Sequence, residues 1–378
     1  MELSKYFYLL IFIIILLLTS LYYFCQYKIE FVYYMFKSSK VTNKQKIPTI
    51  LIWNKCNYKD NQEIGYPDYP LLYPKTKCPY ECDFTHDRRQ ELNASTILFF
   101  IHGFCPMDQW PQNRREDQNY MMYTVECPTE TLQYYDRKLL TNTFFNSSAT
   151  YRSDSSVYMP YDALTKIKPD TPKEYIWDQK EVLANVKSKT KFVFQAVAHC
   201  NANSGRDLLT RKMSELEKID AAGYCFGAEY TKERYESELE NHFFYLAFEN
   251  NMCLNYVTEK FWSALRALTV PVVLSRDVFK GMDVPSNSFI AVDDFKSVNE
   301  LVDYLKVLRN DTEKYLKYFE WTKTYTKRKF GLDYSPICKI CEYATKQFEE
   351  KLKNIVDLNK FWNENDCRND FVKKFLNK

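Results

Sequence analysis

The chain has 378 residues, of which 46% are hydrophobic and 27% charged, and its net charge is +3. That is apolar material for a real core in one large or two ordinary domains, and too little charge to point to nucleic acid as a partner. Glycine occurs only seven times, with neither G-x-G-x-x-G nor G-x-x-x-x-G-K-[ST] present, so a glycine cradle for phosphate is excluded. Any nucleotide must be held by side chains and helix N-termini. The 31 tyrosines fit either sugar-stacking surfaces or plain compositional bias.

Residues 6–27 carry no charge, and their centre from Leu9 to Leu18 is almost pure Leu, Ile and Phe. Such a stretch is long enough to cross a bilayer as a helix, and Tyr22, Tyr23 and Phe24 suit the exit interface. A cleaved signal peptide is the competing reading; no small-x-small cleavage site follows the run. The expected plan is a short cytoplasmic tail (1–5), a signal-anchor (6–27), a stem (28–47) and a lumenal remainder, which is a type II topology in the Golgi membrane.

Twelve cysteines and the sequons at Asn93, Asn146 and Asn310 agree with the secretory pathway. Cys78, Cys82, Cys338 and Cys341 can be read as a zinc set or as disulfides; an oxidising compartment favours disulfides. Spacing does not give their connectivity.

Globular patterning starts at Pro48. Strands are predicted over 49–53, 97–101 and 121–125, and a Pro-, Tyr- and Thr-rich stretch over 158–178 reads as a linker. Then strands and helices alternate: strand 192–198, helix 206–219 with Leu208, Leu209, Met213 and Leu216 on one face, strand 243–248, helix 259–268 with Phe261, Leu265 and Leu268 inward, and strands 270–274 and 289–292. Ser297-x-x-Glu300 is a capping box opening a helix over 298–308. The alternation predicts a doubly wound parallel α/β architecture, as two Rossmann-like domains with a cleft between them: 48–178 and 179–345, followed by a helical tail at 346–378.

Ligands of open α/β sheets bind at the carboxyl ends of the strands. There, Arg206 and Lys260 each stand beside a helix N-terminus, an arrangement suited to a diphosphate, and Glu259 is placed to accept from ribose hydroxyls. Helix capping at a solvated surface explains the same charges equally well. Glu126 follows a strand and is a candidate general base; His102, also after a strand, is its rival.

The stretch FFYLAFENNMCLNYVTEKFWSALRALTVPVVLS at 243–275 resembles the α1,3-fucosyltransferase signature of F-E-N-S, a variable stretch, D-Y-[IV]-T-E-K, a helix and V-P-V-V. NSFIAVDDFKS at 287–297, YFEW at 318–321, CDFTHDRR at 82–89, VECPTET at 125–131 and NSSATYRSDSSVYMPY at 146–161 fit the same family, so the resemblance spans about residues 48–365. It implies a glycosyltransferase type B fold, an acceptor-binding first domain and a GDP-fucose-binding second domain. It implies Glu126 as catalytic base; Arg206, Asn250, Tyr256, Glu259 and Lys260 at the donor; and transfer with inversion to a GlcNAc-type hydroxyl of a glycoprotein or glycolipid. It further implies that Cys338 and Cys341 pair with Cys78 and Cys82. Two departures stand out: Asn251 replaces the usual Ser and Asn255 the usual Asp. No D-x-D triplet occurs, so no metal-ligand set is visible and no cofactor is expected; stimulation by Mn²⁺ or Mg²⁺ is left open. The competing readings are a transferase of another nucleotide sugar and a non-catalytic Golgi glycan- or nucleotide-binding protein on the same fold.

Overall fold

The computed structural model describes residues 47–54, 78–330 except Phe104, Arg137, Glu229 and Tyr230, 336–350 and 356–377, together with Thr19, Ser20, Tyr22 and Lys28. Of the predicted membrane segment and stem, only Thr19, Ser20, Tyr22, Lys28 and Ile47 are among the described residues. Among the described residues no helix is long and apolar enough to cross a membrane.

The first half builds strands β1 (Thr49–Ile52), β2 (Asp83–Thr85), β3 (Thr96–Phe100), β4 (Asn119–Thr124), β5 (Ser147–Thr150) and β6 (Val157–Tyr158), with a short helix α1 (Pro128–Thr131) after β4. They form one sheet in the order β2-β1-β3-β4-β5-β6, and every pairing is parallel. The runs TILI, TILFF and NYMMYT are nearly continuous in apolar residues because both faces of a parallel sheet are covered.

The second half runs α2 (Gln179–Ser188), β7 (Lys191–Ala196), α3 (Arg206–Ser214), β8 (Ile219–Ala222), α4 (Lys232–Asn241), β9 (His242–Leu246), α5 (Glu259–Arg266), β10 (Val270–Val273), β11 (Ile290–Ala291) and α6 (Val298–Asn310). Its sheet, also parallel, has the order β11-β10-β9-β7-β8. In each sheet the second strand lies on one side of the first and the third on the other. The winding therefore reverses between β1 and β3, and again between β7 and β9. Crevices open at such reversals, at the carboxyl ends of the strands.

Local chemistry explains the helix boundaries. Asp178 and Thr231 cap α2 and α4 by accepting from Lys180 N and Arg234 N. Ser297 caps α6 by accepting from Glu300 N, while the Glu300 carboxylate accepts from Lys296 N rather than from Ser297. The predicted helix 206–219 is corrected: α3 ends at Ser214, and Ile219 opens β8. Of its expected inner face, Leu209 and Met213 are buried but Leu208 and Leu216 are exposed. In α5, Phe261 and Leu265 are buried as expected, with Trp262 and Ala264 beside them, and Leu268 is buried just beyond its end. Each large side chain among them contributes roughly 1.5–3 kcal/mol by leaving water.

The C-terminal segment crosses between the sheets. Helix α8 follows α7 (Thr312–Leu316); it spans Pro336–Glu350 and packs Ile340 and Ala344 with Ile50, Leu98 and Met121 of the first sheet. Residues 336–345, which the sequence reading groups with the second half, thus sit on the first. Helix α9 (Leu358–Phe361) and Trp362 pack on the other face of that sheet, whereas α10 (Phe371–Leu376) returns to the second core. Disulfides Cys78–Cys338 and Cys82–Cys341 pin α8 to the chain before β2. This is the pairing implied by the resemblance, and the zinc reading is overturned because the sulfurs are bonded to one another. Cys253–Cys367 ties the segment between β9 and α5 to the C-terminal segment.

Candidate active site

Three connections meet at the carboxyl ends of the strands: the one leaving β4, the one leaving β7 and the one leaving β9. The first carries Glu126, two residues past β4. The side chain is half-buried, and loss of water pushes its carboxyl up to about 7; a hydrogen bond from Tyr256 and the charge of Lys260 oppose that rise. The Tyr256 hydroxyl donates to Glu126 Oε2 at 2.7 Å. Tyr256 is itself buried, and desolvation holds its phenol well above its ordinary pKa, so it remains a donor. Burial keeps the rival His102 below the ordinary imidazole range, with Glu130 opposing. Glu126, not His102, is the group that Tyr256 engages.

Lys260 lies at the start of α5. Its ammonium donates to Thr258 Oγ1 at 2.9 Å and to Glu259 Oε1 at 2.9 Å, and it stands 3.3 Å from Glu249 Oε2. Desolvation works against that charge, but Glu249 and Glu259 outweigh it and hold Lys260 above its ordinary pKa. Glu249 is buried and also accepts from Thr258 N at 2.7 Å. It therefore holds the start of α5 and pairs with the Lys260 ammonium at once, keeping it charged. Glu259, by contrast, projects outward, with 61% of its side chain exposed.

Arg206 stands at the start of α3, but it is not the solvated helix cap of the competing reading. It is 1% exposed, with Nη1 donating to Phe248 O at 2.9 Å and Nη2 to His199 O at 2.7 Å. Its Nε has no hydrogen-bond partner, and among the described residues no carboxylate pairs with it. The guanidinium ties the connections after β7 and β9 together and leaves a buried positive charge without a counterion. Such a charge favours an anion nearby. Asn250 helps by its backbone: its carbonyl accepts from Ser204 N at 2.9 Å.

Glu126 and Tyr256 form one bonded pair and Lys260 and Glu259 another, with the Lys260 charge acting on Glu126, while Arg206 and Asn250 tie together the connections after β7 and β9. Glu249, Thr258 and Glu130 belong to the same constellation but were not singled out by sequence. Glu249 was visible as the acid of the F-E-N run; nothing in the sequence marks Glu130.

Both departures from the family signature make contacts their usual residues cannot. Asn255, in a left-handed conformation at φ 59°, accepts from Ser153 N and Ser153 Oγ at 3.0 and 2.8 Å. Its Nδ2 donates to Val278 O and Lys280 O at 3.1 and 2.7 Å. An aspartate has no donor for those carbonyls. Asn251 is fully buried and bonds to Thr129 and Glu130 of α1.

Residues 186–362 match the model described as glycosyltransferase family 10 (fucosyltransferase) C-term, and residues 45–162 match fucosyltransferase, N-terminal. The Drosophila melanogaster glycoprotein 3-alpha-L-fucosyltransferase A is 31% identical over 85% of this chain, which spans 62% of that protein's length. The human 4-galactosyl-N-acetylglucosaminide 3-alpha-L-fucosyltransferase is 32% identical, with 81% of each chain covered. An alpha-(1,3)-fucosyltransferase of Caenorhabditis elegans is 27% identical, with 90% of each covered. A crystal structure of an alpha1,3-fucosyltransferase with GDP aligns with 81% of this chain and 92% of its own at 17% identity and a TM-score of 0.49.

Proposed function

The chain belongs to glycosyltransferase family 10, the fucosyltransferases, and from that premise we propose that it transfers L-fucose from GDP-β-L-fucose to a GlcNAc-type hydroxyl of a glycan, forming an α1,3 linkage. The observation that carries this reading is the Glu126–Tyr256 pair beside Lys260, with the uncompensated guanidinium of Arg206 behind the donor-side loops.

The chemistry follows from those groups. The Glu126 carboxylate takes the proton of the acceptor hydroxyl as its oxygen attacks C1 of fucose. The bond from C1 to the β-phosphate oxygen breaks from the opposite face, so the configuration inverts and GDP departs. Lys260 and Arg206 favour the negative charge that collects on the diphosphate, acting from a site already organised before reaction. Asn250, Tyr256 and Glu259 complete the donor side. The two sheets act as two Rossmann-like domains of the type B architecture, with the acceptor on the first and the donor on the second. The uncharged N-terminal stretch and the sequons support a Golgi location with the folded part lumenal and the chain anchored by residues 6–27. A bound metal is not needed for this step, since side-chain cations neutralise the leaving group; Mn²⁺ or Mg²⁺ remains a stimulant to be assayed.

Incubation with labelled GDP-fucose and a panel of GlcNAc-containing glycans, with the product linkage determined by NMR, tests the reading. Fucose on O3 of GlcNAc is the expected product. Label transferred only from another nucleotide sugar would overturn it.

A further inference from the structure

Asn251 sits at 0% exposure where three parts of the chain meet. Its Nδ2 donates to Glu130 Oε1 at 2.9 Å. Its Oδ1 accepts from Thr129 Oγ1 at 2.9 Å, Asn203 Nδ2 at 3.1 Å and Asn369 Nδ2 at 3.0 Å. Asn203 Nδ2 also reaches Glu130 Oε1, at 3.2 Å. Thr129 and Glu130 belong to α1, which begins two residues after Glu126; Asn203 belongs to the connection from β7 that ends at Arg206. One amide therefore joins the segment bearing the base to the loop bearing the donor-side cation.

We propose that Asn251 is a positioning residue that clamps Glu130 beside Glu126 and thereby sets the pH at which the base becomes active. This deepens the assignment of Glu126 as base and rests on it. Serine, the usual residue of the signature, offers one hydroxyl on a shorter side chain and cannot bond to Glu130 while accepting from three other side chains. Held where it is, the Glu130 carboxylate places a second negative charge near Glu126. The other groups facing Glu126 are Tyr256, Lys260 and Glu249 from the second half and Cys127 and Tyr151 from the first. Lys260 favours the charged base, and Glu130 and Glu249 disfavour it.

The test is the acid limb of kcat/KM against pH for the full chain, with melting curves to establish that each variant is folded. Glu130→Gln keeps the hydrogen-bond geometry and removes the charge. It is expected to move the limb to lower pH by about half a unit, or about threefold in relative rate on that limb. Asn251→Ser and Asn251→Ala leave Glu130 held by Asn203 alone, itself without its Asn251 anchor, and move the limb the same way. The double variant Glu130→Gln with Asn251→Ala moves it no further than Glu130→Gln alone, because both changes act through one carboxylate. A folded Glu130→Gln protein with an unmoved limb, or shifts that add in the double variant, overturns the clamp. Carboxyl NMR of Glu126 in the same proteins reads the titration without turnover. Should Glu126→Gln retain transfer, it is the assignment of the base that fails. If Glu126→Gln is inactive and the limb ignores Glu130, only the clamp fails.

Discussion

The Tyr256 hydroxyl reaches across 130 residues of chain to donate a 2.7 Å hydrogen bond to the Glu126 carboxylate. This bond joins the two sheets at the point where the proposed chemistry takes place, and it favours the charged form of a group that desolvation otherwise drives toward neutrality.

A general base acts only when deprotonated. With the Glu126 carboxyl pushed up to about 7, kcat/KM should rise as pH increases through neutrality and then level off. Tyr256→Phe deletes a bond to the charged form, so the limb should move to higher pH. Profiles of both proteins check this; a limb at lower pH in the variant would contradict it.

Lys260 answers two carboxylates, Glu249 and Glu259. Replacing it by Met leaves the buried Glu249 without its cation, at an expected cost of about 3 kcal/mol, and removes a charge from the donor side. Urea unfolding and GDP titration should both register the loss. Lys260→Arg should recover more stability than donor affinity, because a planar fork does not reproduce a compact ammonium.

Asn255→Asp restores the usual residue of the signature yet should destabilise this chain by about 2 kcal/mol. Val278 O and Lys280 O would lose their donors and face a carboxylate instead. Thermal melts of the single variant, and of a double variant with Ser153→Ala, check whether the loss lies on the carbonyl side.

Lys189 is buried, bonded to Glu240 O and Thr269 Oγ1, and desolvation lowers its ammonium to about 7. In the unfolded chain it titrates near its ordinary value of about 10.4. Between those values the unfolded state holds the proton that the folded state has shed, so this group makes stability rise with pH across that window. Below about 7 both states are protonated and its penalty is constant. The stability of the parent relative to Lys189→Met should therefore increase from pH 7 to pH 10 in urea unfolding. A flat difference would contradict the assignment.

Much of this was legible in the sequence where local patterns govern. The strands at 49–53, 97–101, 121–125, 192–198, 243–248, 270–274 and 289–292 appear within a residue or two, because buried parallel strands are apolar runs of limited length, whereas α2, β8 and α4 were not read. Helix α5 was readable from Phe261, Leu265 and Leu268. The short strands β2, β5 and β6 were not: SSAT is polar, and its burial comes from neighbours in the sheet rather than from its own composition. The helix starting at Arg206 was read too long because Leu216 keeps the period although it is exposed in the turn before β8. Strand order, and hence the meeting of Glu126 with Tyr256, is a matter of long-range pairing that no local period carries. Arg206 was rightly expected at a loop-to-helix junction, but its burial under His199 and Phe248 could not be read from spacing. Glu130 and Asn251 were opaque for the same reason, since each has meaning only through the other.

The most direct test of the account compares the full chain with Glu126→Gln in two assays side by side: binding of GDP, and transfer of fucose from GDP-fucose to GlcNAc-containing glycans. The variant is expected to bind GDP about as tightly as the parent and to lose transfer by about 100-fold or more. A variant that still transfers at near the parent rate would contradict the role of Glu126 and the mechanism built on it.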